Sequence, residues 1–439
     1  MDPITVVIIC VVILLLLMVS GVPIYACLGV TGLCGTAMLS GWKVAVTMLK
    51  NFPYMRAADY IMMVVPMFIM MGYIAFAAGL SKDAYKIANN WLSRLPAGIA
   101  MATVMASAMF GACCGSSVAC SATMGKVAIP EMTEKGYNPK VSAGVVAAGG
   151  LLGIMIPPST ILVFYGTLAE VSVGQMLLAG VIPGIVTAII YSLGLFFWSK
   201  FDKTLCPSTY KVSWKDRIWS LRLIWGVIVL FAIIVGGIYG GVVTPTEAAA
   251  IGAVACFLMM LLKTPKAERK YMGGYIMEAL KETVNTCGMI FMILICSALF
   301  SVFMTTAGIP AMVNAWASSL PLSPLMIVGL FLVILIPMGM FLDPFSCLVI
   351  TVPITYPVVV GTFGFDPLWY GILLTLMIQI GLITPPVGLN AYVMKGACPD
   401  LSLEDIFKGC FPFIFFTLAT VLVILFLPQV ATWLPYSIK

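Results

Sequence analysis

The chain contains no histidine. The commonest general base near neutral pH is therefore missing. Charge is also scarce: Asp, Glu, Lys and Arg make up 9% of the 439 residues, against about 25% in an ordinary soluble domain, which excludes a soluble globular protein. No CxxC occurs among the thirteen cysteines. Apart from adjacent Cys113 and Cys114 they stand singly, mostly in apolar segments, so they read as small core residues. Without histidine or CxxC, neither a zinc site nor a thioredoxin-like redox motif is supported. Gly125-Lys126 lacks the following Ser/Thr and the spaced upstream glycine of a P-loop, and no ATP-site motif is found elsewhere.

What the chain has in abundance is apolar sequence, 62% of it, in continuous runs such as Ile4 to Ser20 and Thr417 to Leu427. A hydrocarbon layer of ~30 Å takes roughly 20 helical residues to cross. Outer-membrane barrels alternate apolar and polar residues, and these runs do not. Helices remain as the spanning solution, and the fold class is an all-α polytopic membrane protein. The first run follows only Met1, Asp2 and Pro3, without the positive region of a cleavable signal, and is read as a mature span. Ten crossings are expected, at 4–20, 22–40, 60–79, 140–166, 173–198, 222–240, 246–262, 286–306, 370–396 and 405–427. Two further apolar regions, 97–132 and 324–360, are interrupted at Gly111 to Ser117 and at Asp343-Pro344, and read as re-entrant hairpins.

Lys and Arg set the orientation. Lys200, Lys203, Lys211, Lys215, Arg217 and Arg222 fall in one loop, and Lys263, Lys266, Arg269, Lys270 and Lys281 in another; both belong on the cytoplasmic side. Propagated along the chain, this topology leaves Lys43, Lys50, Arg56 and Lys439 outside and nineteen of the 23 basic residues inside. The net charge of +6 thus reads as topology, with no sign of a nucleic-acid partner. Lys82 to Leu95 and Ala311 to Leu320 are too polar or too short to cross and should brace opposite membrane faces, in contact with lipid. Gly236xxxGly240 and Gly237xxxGly241 have the spacing of close helix packing, though 40 glycines make such matches common. Trp433 and Tyr436 suit an interfacial aromatic belt.

The two halves repeat one another. Ala78-Gly79-Leu80 parallels Ala307-Gly308-Ile309, Trp91 with Leu95-Pro96 parallels Trp316 with Leu320-Pro321, and Gly153 with Pro157-Pro158 parallels Gly381 with Pro385-Pro386. Five crossings separate the starts of the two units, and an odd number inverts the second. The expected organisation is a first inverted repeat over 1–220 and a second over 221–439, each holding one hairpin, as in secondary transporters.

Each half then offers two interruptions at mid-membrane depth. They are the tip Gly115-Ser116-Ser117 with the break Gly153 to Thr160, and the tip Asp343-Pro344-Phe345-Ser346 with the break Gly381 to Asn390. Each Pro-Pro pair removes two backbone donors and releases upstream carbonyls, which are tolerated at that depth where they line a cavity or meet an ion. Hydroxyls (Ser116, Ser117, Ser159, Ser346, Thr384), the Asn390 amide and freed carbonyls suit sodium, a small hard cation. Asp343 is the acidic residue at a tip, costly unless paired; it also reads as an N-cap followed by proline. Helix N-termini at the breaks favour an anionic solute group.

With these motifs, and with Leu152-Gly153-Ile154-Met155-Ile156-Pro157-Pro158-Ser159, Ala179-Gly180-Val181-Ile182-Pro183-Gly184 and Gly381-Leu382-Ile383-Thr384-Pro385-Pro386-Val387-Gly388, the chain resembles over its whole length the large membrane (M) subunit of the tripartite ATP-independent periplasmic (TRAP) transporters. The resemblance implies sodium-driven import of a small organic acid, without ATP, through an elevator movement in the cytoplasmic (inner) membrane of a bacterium or archaeon. It implies two partners, a small membrane (Q) subunit and a periplasmic substrate-binding protein (P subunit). Sodium would be held by Gly115, Ser116, Gly153 and Pro157 in one half and Asp343, Ser346, Gly381, Thr384 and Pro385 in the other. Ser117, Ser159 and Asn390 are the candidates for the solute. The rival reading is an ion channel built from the same re-entrant loops; an intramembrane enzyme is disfavoured by the lack of histidine.

Overall fold

The computed structural model describes residues 2–201, 212–265 and 269–437. Lys203, Lys211, Lys266 and Lys439 of the basic tally lie outside them. Among the described residues every regular element is helical. Seven helices there are long and apolar enough to cross a membrane, or eight if the bent pair Trp214–Leu223 and Trp225–Tyr239 is one span, and shorter apolar helices accompany them.

The chain opens with α1 (Pro3–Val19) and α2 (Ile24–Ser40), followed by α3 (Trp42–Ala57), a helix in a stretch without an expected element. Ala45 is the buried residue of α3, while Trp42, Tyr54 and Met55 are exposed; the helix packs against α2 and α16 and is not long and apolar enough to count as a crossing. Next come α4 (Val64–Ala77) and the amphipathic arm α5 (Leu80–Leu92), then the first hairpin, α6 (Gly98–Cys114) and α7 (Ser117–Glu134). The following span is broken into α8 (Pro139–Leu151) and α9 (Thr160–Leu168). Then α10 (Val173–Ala179) leads into α11 (Val181–Phe201).

After α12 (Trp214–Ser220), α13 (Trp225–Phe231) and α14 (Gly237–Tyr239) are joined by a π turn at Ala232–Gly236, and α15 (Pro245–Lys263) returns. The longest helix is α16 (Met272–Thr306), with 35 residues. At 1.5 Å per residue it is about 52 Å long, well beyond the hydrocarbon thickness, so the expected span 286–306 is only its second half. The arm α17 (Ile309–Ser319) precedes the second hairpin, α18 (Pro324–Phe341) and α19 (Pro344–Tyr356). A second broken span follows, α20 (Pro367–Leu382) and α21 (Leu389–Ala397), and then α22 (Leu403–Phe426) and α23 (Gln429–Tyr436).

Polar contacts mark the two membrane faces. On the side of the basic loops Lys263 pairs with Asp83 of the arm α5, Arg94 Nη2 donates to the Val212 carbonyl at 2.7 Å, and Lys140 meets Asp405 at 2.7 Å. On the other side Tyr436 donates its hydroxyl to the Asp366 carboxylate at 2.6 Å, and Tyr165 donates to the Pro367 carbonyl at 2.7 Å. Close packing uses glycine where backbones meet: a Cβ on Gly32 of α2 would fall 2.5 Å from the Phe300 nitrogen of α16, and one on Gly144 of α8 would fall 2.1 Å from the Gly409 carbonyl of α22. The Gly236 and Gly237 spacings are not of this kind. Gly236 has no neighbour within 4 Å, and Gly237 and Gly240 meet only their own segment.

Candidate functional site

At the first tip Gly115 takes φ +63°, a conformation glycine adopts at no steric cost, and the chain reverses between α6 and α7. Ser116 caps α7, its Oγ accepting the Ala119 N–H at 3.4 Å. The break between α8 and α9 lies directly behind this tip. Thr160 Oγ1 donates to the Gly115 carbonyl at 2.9 Å. A Cβ on Gly153 would sit 2.9 Å from the Ser116 carbonyl oxygen, and one on Gly115 would sit 2.7 Å from that of Pro158. Backbone and hydroxyl oxygens therefore crowd between tip and break, with the Cys114 thiol donating to the Ser116 carbonyl at 3.5 Å beside them, and this oxygen-rich, imidazole-free setting is one that a hard cation takes.

The second tip is built with different residues and the same plan. Asp343 caps α19, with Pro344 at the first helical position. Its Oδ1 accepts the N–H groups of Phe345 and Ser346 at 3.0 and 3.1 Å, and its Oδ2 accepts the Ser346 hydroxyl at 2.5 Å. Behind it the Gly388 N–H donates to the Met340 carbonyl at 3.2 Å, tying break to tip. The crossings above the tips also match: Gly111 approaches Gly153, and Gly339 approaches Gly381, so closely that a Cβ on Gly111 or Gly381 would lie 2.8 or 2.5 Å from the partner's Cα.

Not every carbonyl released at the breaks stays free. The Ile154 oxygen accepts the Ser159 hydroxyl at 2.6 Å, and the Ile380 oxygen accepts the Thr384 hydroxyl at 2.5 Å. A hydroxyl placed four or five residues on recaptures the carbonyl, limiting the number of orphan groups at a depth where each is costly.

Both tips open on one cavity of about 570 Å³, walled by α4, α7, α9, α16 and the start of α19. Ser116, Ser117, Cys114 and Asp343 line it; Cys113 is packed behind. Gly115, Gly153, Pro157 and Ser159 form the layer behind the first tip; behind the second, Gly381 packs on Gly339, whereas Thr384 is half-buried and Pro385 exposed, and all of these lie outside the cavity lining. Ser346 sits beneath Asp343, bonded to it. Ser159 is engaged as the cap of α9, accepting the Leu162 N–H at 3.2 Å. Asn390 is fully buried away from the cavity. Its Nδ2 donates to Ser121 Oγ and to the Ala147 carbonyl, both at 3.2 Å, clasping α21 of the second half to α7 and α8 of the first.

Sequence reasoning missed part of the wall. Thr123 and Lys126 of α7, Tyr73 of α4 and Tyr275, Glu278, Glu282 and Thr286 of α16 all line the cavity. The signal was present in α7, where positions 116, 119, 123 and 126 share one helical face with the tip. For α16 it was hidden, because Glu278 and Glu282 precede the apolar stretch and read as loop.

A family model described as "Tripartite ATP-independent periplasmic transporter, DctM component" matches residues 11–430. The C4-dicarboxylate TRAP transporter large permease protein of Pseudomonas aeruginosa is 32% identical over 409 residues, 93% of each chain. The sialic acid TRAP transporter large permease protein of Vibrio cholerae is 29% identical over 86% of each chain. In fold, the crystal structure of the YdaH transporter of Alcanivorax borkumensis superposes with a TM-score of 0.62 at 14% identity, covering 100% of this chain and 99% of that one.

Proposed function

The chain belongs to the DctM-component family of the tripartite ATP-independent periplasmic transporters, and on that premise we propose that it is the sodium-coupled carrier subunit for a small carboxylate solute in a bacterial inner membrane. In this reading a periplasmic binding protein delivers the solute and a small membrane subunit completes the membrane assembly. The observation that carries it is the convergence of two helix-capped hairpin tips and two broken spans on a single cavity. Such a meeting point gives opposite ions opposite partners. The C-terminal ends of α6, α8, α18 and α20 present carbonyl oxygens, which suit a cation; the N-termini of α7 and α19 present N–H groups, which suit a carboxylate. The carboxylate class is supported by the relatives' names, since C4-dicarboxylates and sialic acid are both carboxylic acids.

The two inverted units and their hairpins suit an elevator, in which the tips and the layer behind them move as one body against α2, α4, α15 and α16. Sodium bound between tip and break would fasten each tip to that body, and the solute would then cross with it. The test is uptake into proteoliposomes that also contain the small subunit and are supplied with the binding protein, with and without an inward sodium gradient. Sodium-dependent accumulation and exchange of labelled against excess unlabelled solute are expected. Current without saturable exchange would replace this reading with the channel.

A further inference from the structure

Resting on the carrier reading above, we propose that Lys126 is an exit-side station for the solute's carboxylate, and that Glu278 and Glu282 across the cavity discharge it. Ser116, Ala119, Thr123 and Lys126 all line the cavity, at spacings that keep them on one face of α7. At 1.5 Å per residue, Lys126 stands about 15 Å below the tip, toward the side of the basic loops. It is the one cation among the described residues of the lining. Its side chain is exposed and makes no ion pair or hydrogen bond there. The opposite wall repeats the pattern with the other sign. Tyr275, Glu278, Glu282 and Thr286 share a face of α16 and line the same space, with Tyr73 beside Glu282 and Thr286.

The order of groups along the path fixes what each does. A carboxylate that leaves the N-terminus of α7 meets the Lys126 ammonium next, a charge-assisted partner. It then faces two carboxylates of its own sign, which compete for the same ammonium and oppose return. Lys126 holds the anion in the cavity long enough to leave the tip, and the like charge of Glu282 and Glu278 on the other wall then favours its departure. The device acts on the cytoplasmic side alone, because the tip, where solute from outside is first bound, lies on the far side of Lys126.

Sidedness makes this testable. Right-side-out and everted membrane vesicles carrying the chain with its small subunit and binding protein would be loaded with radiolabelled succinate, and half-saturation for succinate measured at each face by counterflow. Lys126→Gln is expected to raise the half-saturation at the cytoplasmic face roughly tenfold, the cost of one hydrogen bond to a charged group. Lys126→Arg should restore it, Glu282→Gln should shift it in the opposite direction, and the periplasmic face should stay at its wild-type value throughout. Wild-type behaviour of Lys126→Gln at both faces, or an equal shift at both, would overturn the exit station while leaving the carrier reading intact. Absence of any succinate exchange by the wild-type assembly would remove the carboxylate reading itself.

Discussion

Asp343 can act as a helix cap, as a cation ligand or as both, and the replacement Asp343→Asn separates the two. Asparagine keeps the oxygen that accepts from the Phe345 and Ser346 N–H groups and is as good an N-cap as aspartate, but its Nδ2 cannot accept the Ser346 hydroxyl, so the fold should lose about 1 kcal/mol. What disappears is a full negative charge on the cavity wall. At an effective dielectric constant of about 20, a carboxylate about 4 Å from a cation contributes about 4 kcal/mol. Desolvation of the pair offsets part of that, which leaves about 1.5–3 kcal/mol and a roughly 10- to 100-fold rise in the sodium concentration for half-maximal uptake. The structure supplies its own control in Asp366, which caps α20 with the same three bonds: Oδ1 accepts from Leu368 and Trp369 at 2.8 and 3.0 Å, and Oδ2 accepts from Tyr436 at 2.6 Å. Asp366 does not line the cavity. Initial uptake rates against sodium concentration, with thermal unfolding of the same preparations, should shift for Asp343→Asn and not for Asp366→Asn. Superimposable sodium curves for both variants and the wild type would refute the ligand role and leave Asp343 a cap.

Three further outcomes follow from packing. Gly153→Ala inserts a methyl 2.9 Å from the Ser116 carbonyl and should weaken sodium activation severalfold, whereas Gly288→Ala, with nothing within 4 Å, should leave the sodium curve unchanged. Asn390→Ala leaves Ser121 and the Ala147 carbonyl without their donor, and should lower thermal stability by about 1–3 kcal/mol while half-saturation for solute stays at the wild-type value. Tyr191→Phe removes a buried hydroxyl pair with Thr417 at 2.6 Å, between α11 and α22, and should cost about 1 kcal/mol of stability without changing the sodium dependence of uptake.

The tips, the breaks and the arms were legible because each is punctuated by residues with one structural meaning. Gly115 before Ser116-Ser117, Asp343 before Pro344, and the two Pro-Pro pairs stop helices wherever they occur, and Gly79 and Gly308 open the arms α5 and α17 at φ +75° and +76°. The helix α3 escaped because its 16 residues carry Lys43, Lys50 and Arg56 and bury only Ala45, so neither length nor hydrophobicity marks it as a crossing. The lower half of α16 escaped for the same reason.

The roles of the individual polar residues were decided elsewhere. Ser116, Ser159 and Asn390 look alike as hydrogen-bonding groups near breaks, yet one lines the cavity, one caps α9 behind it and one fastens the two halves together. Sequence by itself determined where the chain must break its helices and which segments are apolar enough to span, since these follow from local backbone chemistry and from the cost of charge in a bilayer. Only the tertiary structure decided which broken ends share a cavity, and that Lys126 and Glu282, remote in sequence, both line it. That juxtaposition depends on how α7 and α16 are rotated about their axes, and the rotation is set by packing against neighbours that no local pattern names.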